Sequence, residues 1–277
     1  MAVRAALAHK FLTPLLGLSI CGLAVLVVTP AAVQAQDAPA KSPAEAMQEK
    51  QRELLRSYQI QPTAPDAGPV TLDDVILDWT EDGYVLAARF ASGLDVCPAE
   101  EPATMSLVPL RGLTKLRAIE LNAVAVAELQ PLTQWKGLRD VKIIGCGKIK
   151  NLAVLGRLTQ LDKLKLQRIR LDVSPILAKL TNLTELELPE QNLSRMDWVR
   201  GMAKLIKLDV SGNPKLTDIQ PLLKLQYLTE LDISGTAVTD LKPLLGLAKL
   251  TKLKVSKGLD TSLLAGRLAS GLVIEER

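Results

Sequence analysis

Histidine is almost missing from this chain. The one copy, His9, lies in an opening stretch that reads as an export signal, so the remainder carries none. That excludes a Ser-His-Asp triad, a Cys-His pair and a His-ligated metal. The sequence thus offers no catalytic residue, no metal site and no cofactor motif. Cysteine is nearly as scarce, with only Cys97 and Cys146 beyond residue 35. Aromatics make up 3% of the chain against 48% hydrophobic residues, which suits a core of stacked Leu, Val and Ile better than an aromatic-anchored binding surface. Basic excess is small too. Removing residues 1–35 takes away Arg4 and Lys10 and no acid, leaving 32 basic against 30 acidic residues (34 − 2 against 30), and this gives no nucleic-acid footprint.

What the chain has in abundance is one phrase. Its clearest copy runs from Leu228 to Lys249, with Leu228, Leu231 and Ile233 spaced 0, +3, +5. The spacing recurs from Leu116, Leu138, Leu161, Leu183, Leu205, Leu228 and Leu250, in steps of 22 or 23 residues. Every one of those seven triplets is Leu, Ile or Val throughout, far beyond what ordinary aliphatic content produces by chance. An L-x-x-L-x-L pattern at this period specifies a leucine-rich repeat solenoid. Each coil is predicted to lay a short strand at +2 to +6, with 0, +3 and +5 turned inward. Strands about 4.8 Å apart then give a sheet roughly 30 Å long over seven coils. At +8, where such repeats favour Asn or Cys, stand Val124, Cys146, Ile169, Gln191, Asn213 and Thr236, a ladder only partly polar. Pro131, Pro175, Pro221 and Pro243 mark return legs too short for regular helix.

Units such as LTELDISGTAVTDLKPLLGLAK resemble the 22-residue leucine-rich repeats of the bacterial internalins and of the phosphatase-regulator subclass with the same spacing. The likeness covers roughly residues 106–274. It implies a right-handed α/β-type coil with a parallel concave sheet, short helical or irregular return legs and a protein partner at the concave face. No Ig-like module or cell-wall sorting tail follows those repeats, so adhesion to host cells is not the expectation.

The chain divides into four expected segments. Residues 1–35 read as a signal peptide: a basic start, an apolar run Phe11–Val28, and Val33-Gln34-Ala35 ready for cleavage after Ala35. Alternatively Phe11–Val28 stays uncleaved as an inner-membrane anchor, being just long enough to span a bilayer. Residues 36–70 form a Pro/Ala-rich linker with one short helix from Pro43 to Tyr58, capped by Ser42. Residues 71–105 form an N-terminal cap, with two strand-like runs around Glu81-Asp82-Gly83 giving a β-hairpin. Residues 106–277 are the solenoid, preceded by a degenerate coil opening at Leu94 and closed by a last strand at Leu272-Val273-Ile274. If Leu94 opens a coil, Cys97 and Cys146 sit too far apart to bridge and remain buried thiols. Asp73, Asp74, Asp78, Glu81 and Asp82 read as a solvated acidic turn, lacking the spacing of a calcium loop. The sequons Asn182-Leu183-Thr184 and Asn192-Leu193-Ser194 matter only in a host with an endoplasmic reticulum.

The outward rows of the sheet supply the candidate binding surface. Its residues are Lys163, Lys165, Glu185, Glu187, Lys207, Asp209, Glu230, Asp232, Lys252 and Lys254, at positions +2 and +4. Along +2 the signs alternate from Asp140 to Lys252, so the face either pairs with itself across strands or offers a polar, salt-sensitive surface to a protein. Trp135, Trp198 and Tyr227 fall outside the strands and are expected in the core. These features point to a bacterial, periplasmic or secreted, non-catalytic protein-binding module, with a membrane-tethered envelope scaffold as the alternative. A membrane partner enters only if Phe11–Val28 is kept.

Overall fold

The computed structural model describes residues 42–46, 49, 53, 75–80, 85–91 and 106–277, apart from 127, 147, 148 and 170. They belong to a compact unit spanning Lys41–Arg277. The expected export signal, the Asp-Gly turn, the coil residues after Leu94 and Cys97 lie outside them. Residues 43–46 are helical, and Ser42 caps them as expected. Its hydroxyl accepts from the Glu45 amide at 3.2 Å, while Glu45 accepts from the Ser42 amide at 2.8 Å, a reciprocal capping box. Among the described residues, no helix is long and apolar enough to cross a membrane.

Ten strands form one sheet in chain order: β1 (Val75–Trp79), β2 (Val85–Ala91), β3 (Ala118–Asn122), β4 (Asp140–Ile144), β5 (Lys163–Gln167), β6 (Glu185–Glu187), β7 (Lys207–Asp209), β8 (Glu230–Asp232), β9 (Lys252–Val255) and β10 (Val273–Glu276). Strands β1 and β2 pair antiparallel, and every later pairing is parallel. Position +2 faces +2 throughout, as in Asp140 with Lys163, Lys163 with Glu185 and Glu185 with Lys207. Leu138, Leu161 and Leu183 are neighbours in this stack, each no more than 1% exposed. The aliphatic spine is therefore continuous.

The amino-terminal end departs from expectation. The strand beside β3 is not supplied by a coil opening at Leu94; it is β2, with Ala88 opposite Ile119 and Phe90 opposite Leu121. Val85, Ala88 and Phe90 repeat the 0, +3, +5 spacing, all at most 2% exposed. The interval from Val85 to Leu116 is 31 residues, so the 22-residue period points past it. Bulkier Phe90 compensates for small Ala88 in filling the end of the core. The hairpin thus both caps the solenoid and acts as its first strand.

Return legs are mostly single 3₁₀ turns, such as Gln130–Gln134, Gln220–Lys224 and Lys242–Gly246, with an α-turn at Ser174–Leu177. Proline occupies the early position in each of these and needs no amide partner there. An Asp two residues before the turn secures its entry: Asp172, Asp218 and Asp240 accept the amides of Ser174, Gln220 and Lys242 at 2.8–2.9 Å. Trp135 and Trp198 are buried as expected, but Tyr227 is 55% exposed and stacks under Lys249 Nζ, 4.2 Å from the ring centroid. Tyr227 immediately precedes Leu228, which takes the inward site, so the ring is left outside.

A second ladder runs beside the spine. Position +7 is left-handed in six successive coils, at Ala123, Gly145, Arg168, Glu190, Gly212 and Gly235. At Gly212 a Cβ would also come within 2.9 Å of Glu190 Cγ. At +8, Asn213 is fully buried: its Oδ1 accepts the amides of Gln191 and Leu193, and its Nδ2 donates to the carbonyls of Leu188 and Val210. The buried Cys146 thiol makes a weaker contact with the Leu121 and Ile144 carbonyls. Gln191, one methylene longer than Asn, is 7% exposed with neither amide atom partnered. Replacing Asn213 by Leu strands two buried amides and two carbonyls and should cost on the order of 3 kcal/mol, whereas Gln191→Leu should change stability by less than about 1 kcal/mol. Urea unfolding of the two variants checks this, and equal losses would contradict it.

Candidate functional site: the open face of the sheet

Alternation along each strand sends +3 and +5 into the core and leaves +2 and +4 on the open face. All ten residues proposed from the sequence lie there: two each on β5, β6, β7, β8 and β9. No aromatic stands among them. Over β2 to β10 the +2 and +4 positions hold seven cations (Arg89, Lys142, Lys163, Lys165, Lys207, Lys252, Lys254) and eight carboxylates (Glu120, Asp140, Glu185, Glu187, Asp209, Glu230, Asp232, Glu275).

The pairing is not the simple alternation that the +2 row suggests. Lys163 meets Glu185 at 2.6 Å, and Lys165 meets Glu187 at 3.0 Å. Lys207, however, crosses diagonally to Glu187 instead of bonding Glu185 or Glu230. Arg89 and Lys142 share Glu120, at 3.2 and 3.8 Å. Lys252 and Lys254 turn toward Glu275, at 3.1 and 3.9 Å. Every cation of the face is engaged. Among the described residues, Asp140, Asp209 and Glu230 have no cation within 4.0 Å. Asp232 is only 6% exposed and accepts the amide and hydroxyl of Ser234, so it is withdrawn from the surface, although it also meets Arg277 at 3.7 Å.

Asp140 adds a feature not drawn from the sequence. It lines a hollow of about 350 Å³ together with Glu120, Lys142, Lys163 and Glu185, and its Oδ1 is buried without a partner. The signal was present: its +2 neighbours are Ala118 and Lys163, and Lys163 is taken by Glu185. Burial pushes the Asp140 carboxyl above its ordinary value of 3.8, and Lys142 and Lys163 only partly oppose this. Glu187 behaves in the opposite way. Burial alone would raise it, but hydrogen bonds from Lys207 and Lys165, with their charges, hold it below 4.5. Lys163 and Lys207 are raised, each chiefly by its bond to a glutamate.

No protein-family model matches the chain, and no curated protein matches it. Solved structures do. Internalin C2 of Listeria monocytogenes strain 4b F2365 aligns with a TM-score of 0.56 at 23% identity, covering 71% of this chain and 82% of that one. A TLR13–ssRNA13 complex aligns with a TM-score of 0.52 at 16% identity, covering 70% of this chain but 28% of the other.

The two shifted carboxyls make opposite predictions. Folded Asp140 holds its proton to higher pH than the unfolded chain, so this group's contribution to stability falls as pH rises above 3.8. Asp140→Asn should therefore be more stable than the parent at pH 7, with the gain vanishing below that value. Folded Glu187 releases its proton more readily than the unfolded chain, so its contribution is present above 4.5 and lost as pH falls through its lower folded value. Glu187→Gln should be less stable at pH 7, the difference closing in acid. Thermal melts across pH 2.5–7 read both, and two differences of the same sign would refute the assignment. Its aliphatic spine, parallel strands and short 3₁₀ return legs make the chain a leucine-rich repeat solenoid, folded like internalin C2.

Proposed function

We propose that this protein is an exported, non-catalytic leucine-rich repeat module that binds a protein partner through the open face of its sheet. The observation carrying the proposal is that face itself: nine parallel strands presenting a polar surface whose charges sit in register. Phosphate backbones demand a net basic surface, and seven engaged cations against eight carboxylates do not provide one, which favours a protein over a nucleic acid. The resemblance to internalin C2 supports a scaffold whose variation lies in displayed side chains. The amino-terminal apolar run followed by small residues supports export, with the mature chain beginning at Gln36.

Affinity capture from an extract of the producing organism tests this. The variant Glu185→Lys with Glu187→Lys should lose the partner by about tenfold or more. An off-face pair, Glu128→Lys with Asp218→Lys, should retain it once melting confirms that both fold. Equal capture by the two variants would remove the face from the function. Sequencing the amino terminus of the protein isolated from its own cells tests export: a start at Gln36 supports it, and a start at Met1 refutes cleavage.

A further inference from the structure

The unspent charge on the face is all of one sign. Seven cations at +2 and +4 each reach a carboxylate, yet three carboxylates reach no cation among the described residues. Two of the three are neighbours on adjacent strands, Asp209 on β7 and Glu230 on β8. Asp209 also lies directly opposite Asp232, a like-charge pairing that destabilises a sheet. It accepts the Ser211 amide at 2.8 Å. The two cations that flank Glu230 in the +2 row, Lys207 and Lys252, are already committed to Glu187 and Glu275. The third, Asp140, stands four strands away, roughly 19 Å along the sheet.

We propose that the partner bound by this face presents a basic segment, whose lysine or arginine side chains seat against Asp209 and Glu230 with a further cation reaching Asp140. The proposal rests on the sheet being a protein-binding surface and adds the chemistry of what it binds. An anionic partner would find no free cation on these rows and would have to break existing pairs. A basic one completes pairs that the fold leaves open and relieves the Asp209–Asp232 repulsion. A segment of about six extended residues spans the distance from Glu230 to Asp140.

The test uses the full chain with labelled deca-lysine and deca-glutamate in low salt. Deca-lysine should bind, and Asp209→Asn with Glu230→Gln should weaken it by about tenfold. Removing the same two charges off the face, by Asp218→Asn with Asp240→Asn, should leave binding nearly unchanged. All four substitutions are close in shape to the originals, and melting curves confirm the fold. Equal weakening by both pairs, no weakening by either, or preference for deca-glutamate overturns the proposal. If deca-glutamate is preferred while partner capture still depends on Glu185 and Glu187, the partner is acidic and the sheet remains the binding surface. If capture ignores every variant on the face, the binding surface itself lies elsewhere.

Discussion

The structure depends on one constraint: three aliphatic side chains per coil are buried only by the coil before and the coil after. Leu161, Leu164 and Leu166 are each at most 2% exposed because the triplets of β4 and β6 lie on either side. A buried leucine is worth about 1.5–3 kcal/mol, so each triplet supplies several kcal/mol that an isolated coil would forfeit. Stability accumulates along one dimension, and the two ends must be closed by something other than a coil. At the amino-terminal end the hairpin closes the stack with Phe90. At the other end Arg267 closes it by donating to the carbonyls of Leu247 and Leu250.

Stacking at a fixed rise also dictates what the backbone does between strand and return leg. The six coils from Leu116 to Leu228 turn at the same place, hence their left-handed residue at +7, and in the last coil it moves one residue on to Gly258. Glycine enters that conformation freely, while Ala123, Arg168 and Glu190 each bear about 1–2 kcal/mol of strain. The Arg168–Glu190 pair at 3.4 Å offsets little of this, because half-exposed ion pairs are weak. The best-built turn is the one where Gly212 and Asn213 coincide: the glycine removes the strain and the amide satisfies the backbone of two coils at once.

Periodicity in the sequence revealed the spine because burial of identical positions is the same physical demand repeated seven times. The expected strand limits, +2 to +6, hold for β3, β4 and β5, whereas β6, β7 and β8 stop at +4 and β9 at +5; Trp135 and Trp198 are buried as expected. The first strand was hidden, since a 31-residue interval and an Ala88–Phe90 size exchange carry no 22-residue signature. Tyr227 was misplaced because its neighbour Leu228 fills the inward site, a competition that composition does not display. The left-handed ladder was half legible, through Gly145, Gly212 and Gly235, and obscured where Ala, Arg and Glu hold the same angle. The rows of the open face could be listed by residue but not paired, because a lysine stem reaches three carboxylates and sequence does not say which it takes.

That choice has a physical basis at Lys207. Glu185 and Glu230 flank it in the +2 row, yet it bonds Glu187, which already holds Lys165. The Glu187 side chain is 21% exposed, against 35% for Glu185, and Glu230 is exposed. Charge attraction strengthens as water is excluded, so the lysine gains most at the most sheltered carboxylate even when another cation is present. The same preference leaves Glu230 to solvent, beside Asp209, which the strand register sets against Asp232. Hence the acidic excess in the middle of the sheet arises from unequal burial along a face of nearly balanced composition. A surface charge released in this way remains hydrated and unpaired, and a partner's cation can reach it without first breaking a pair inside the fold.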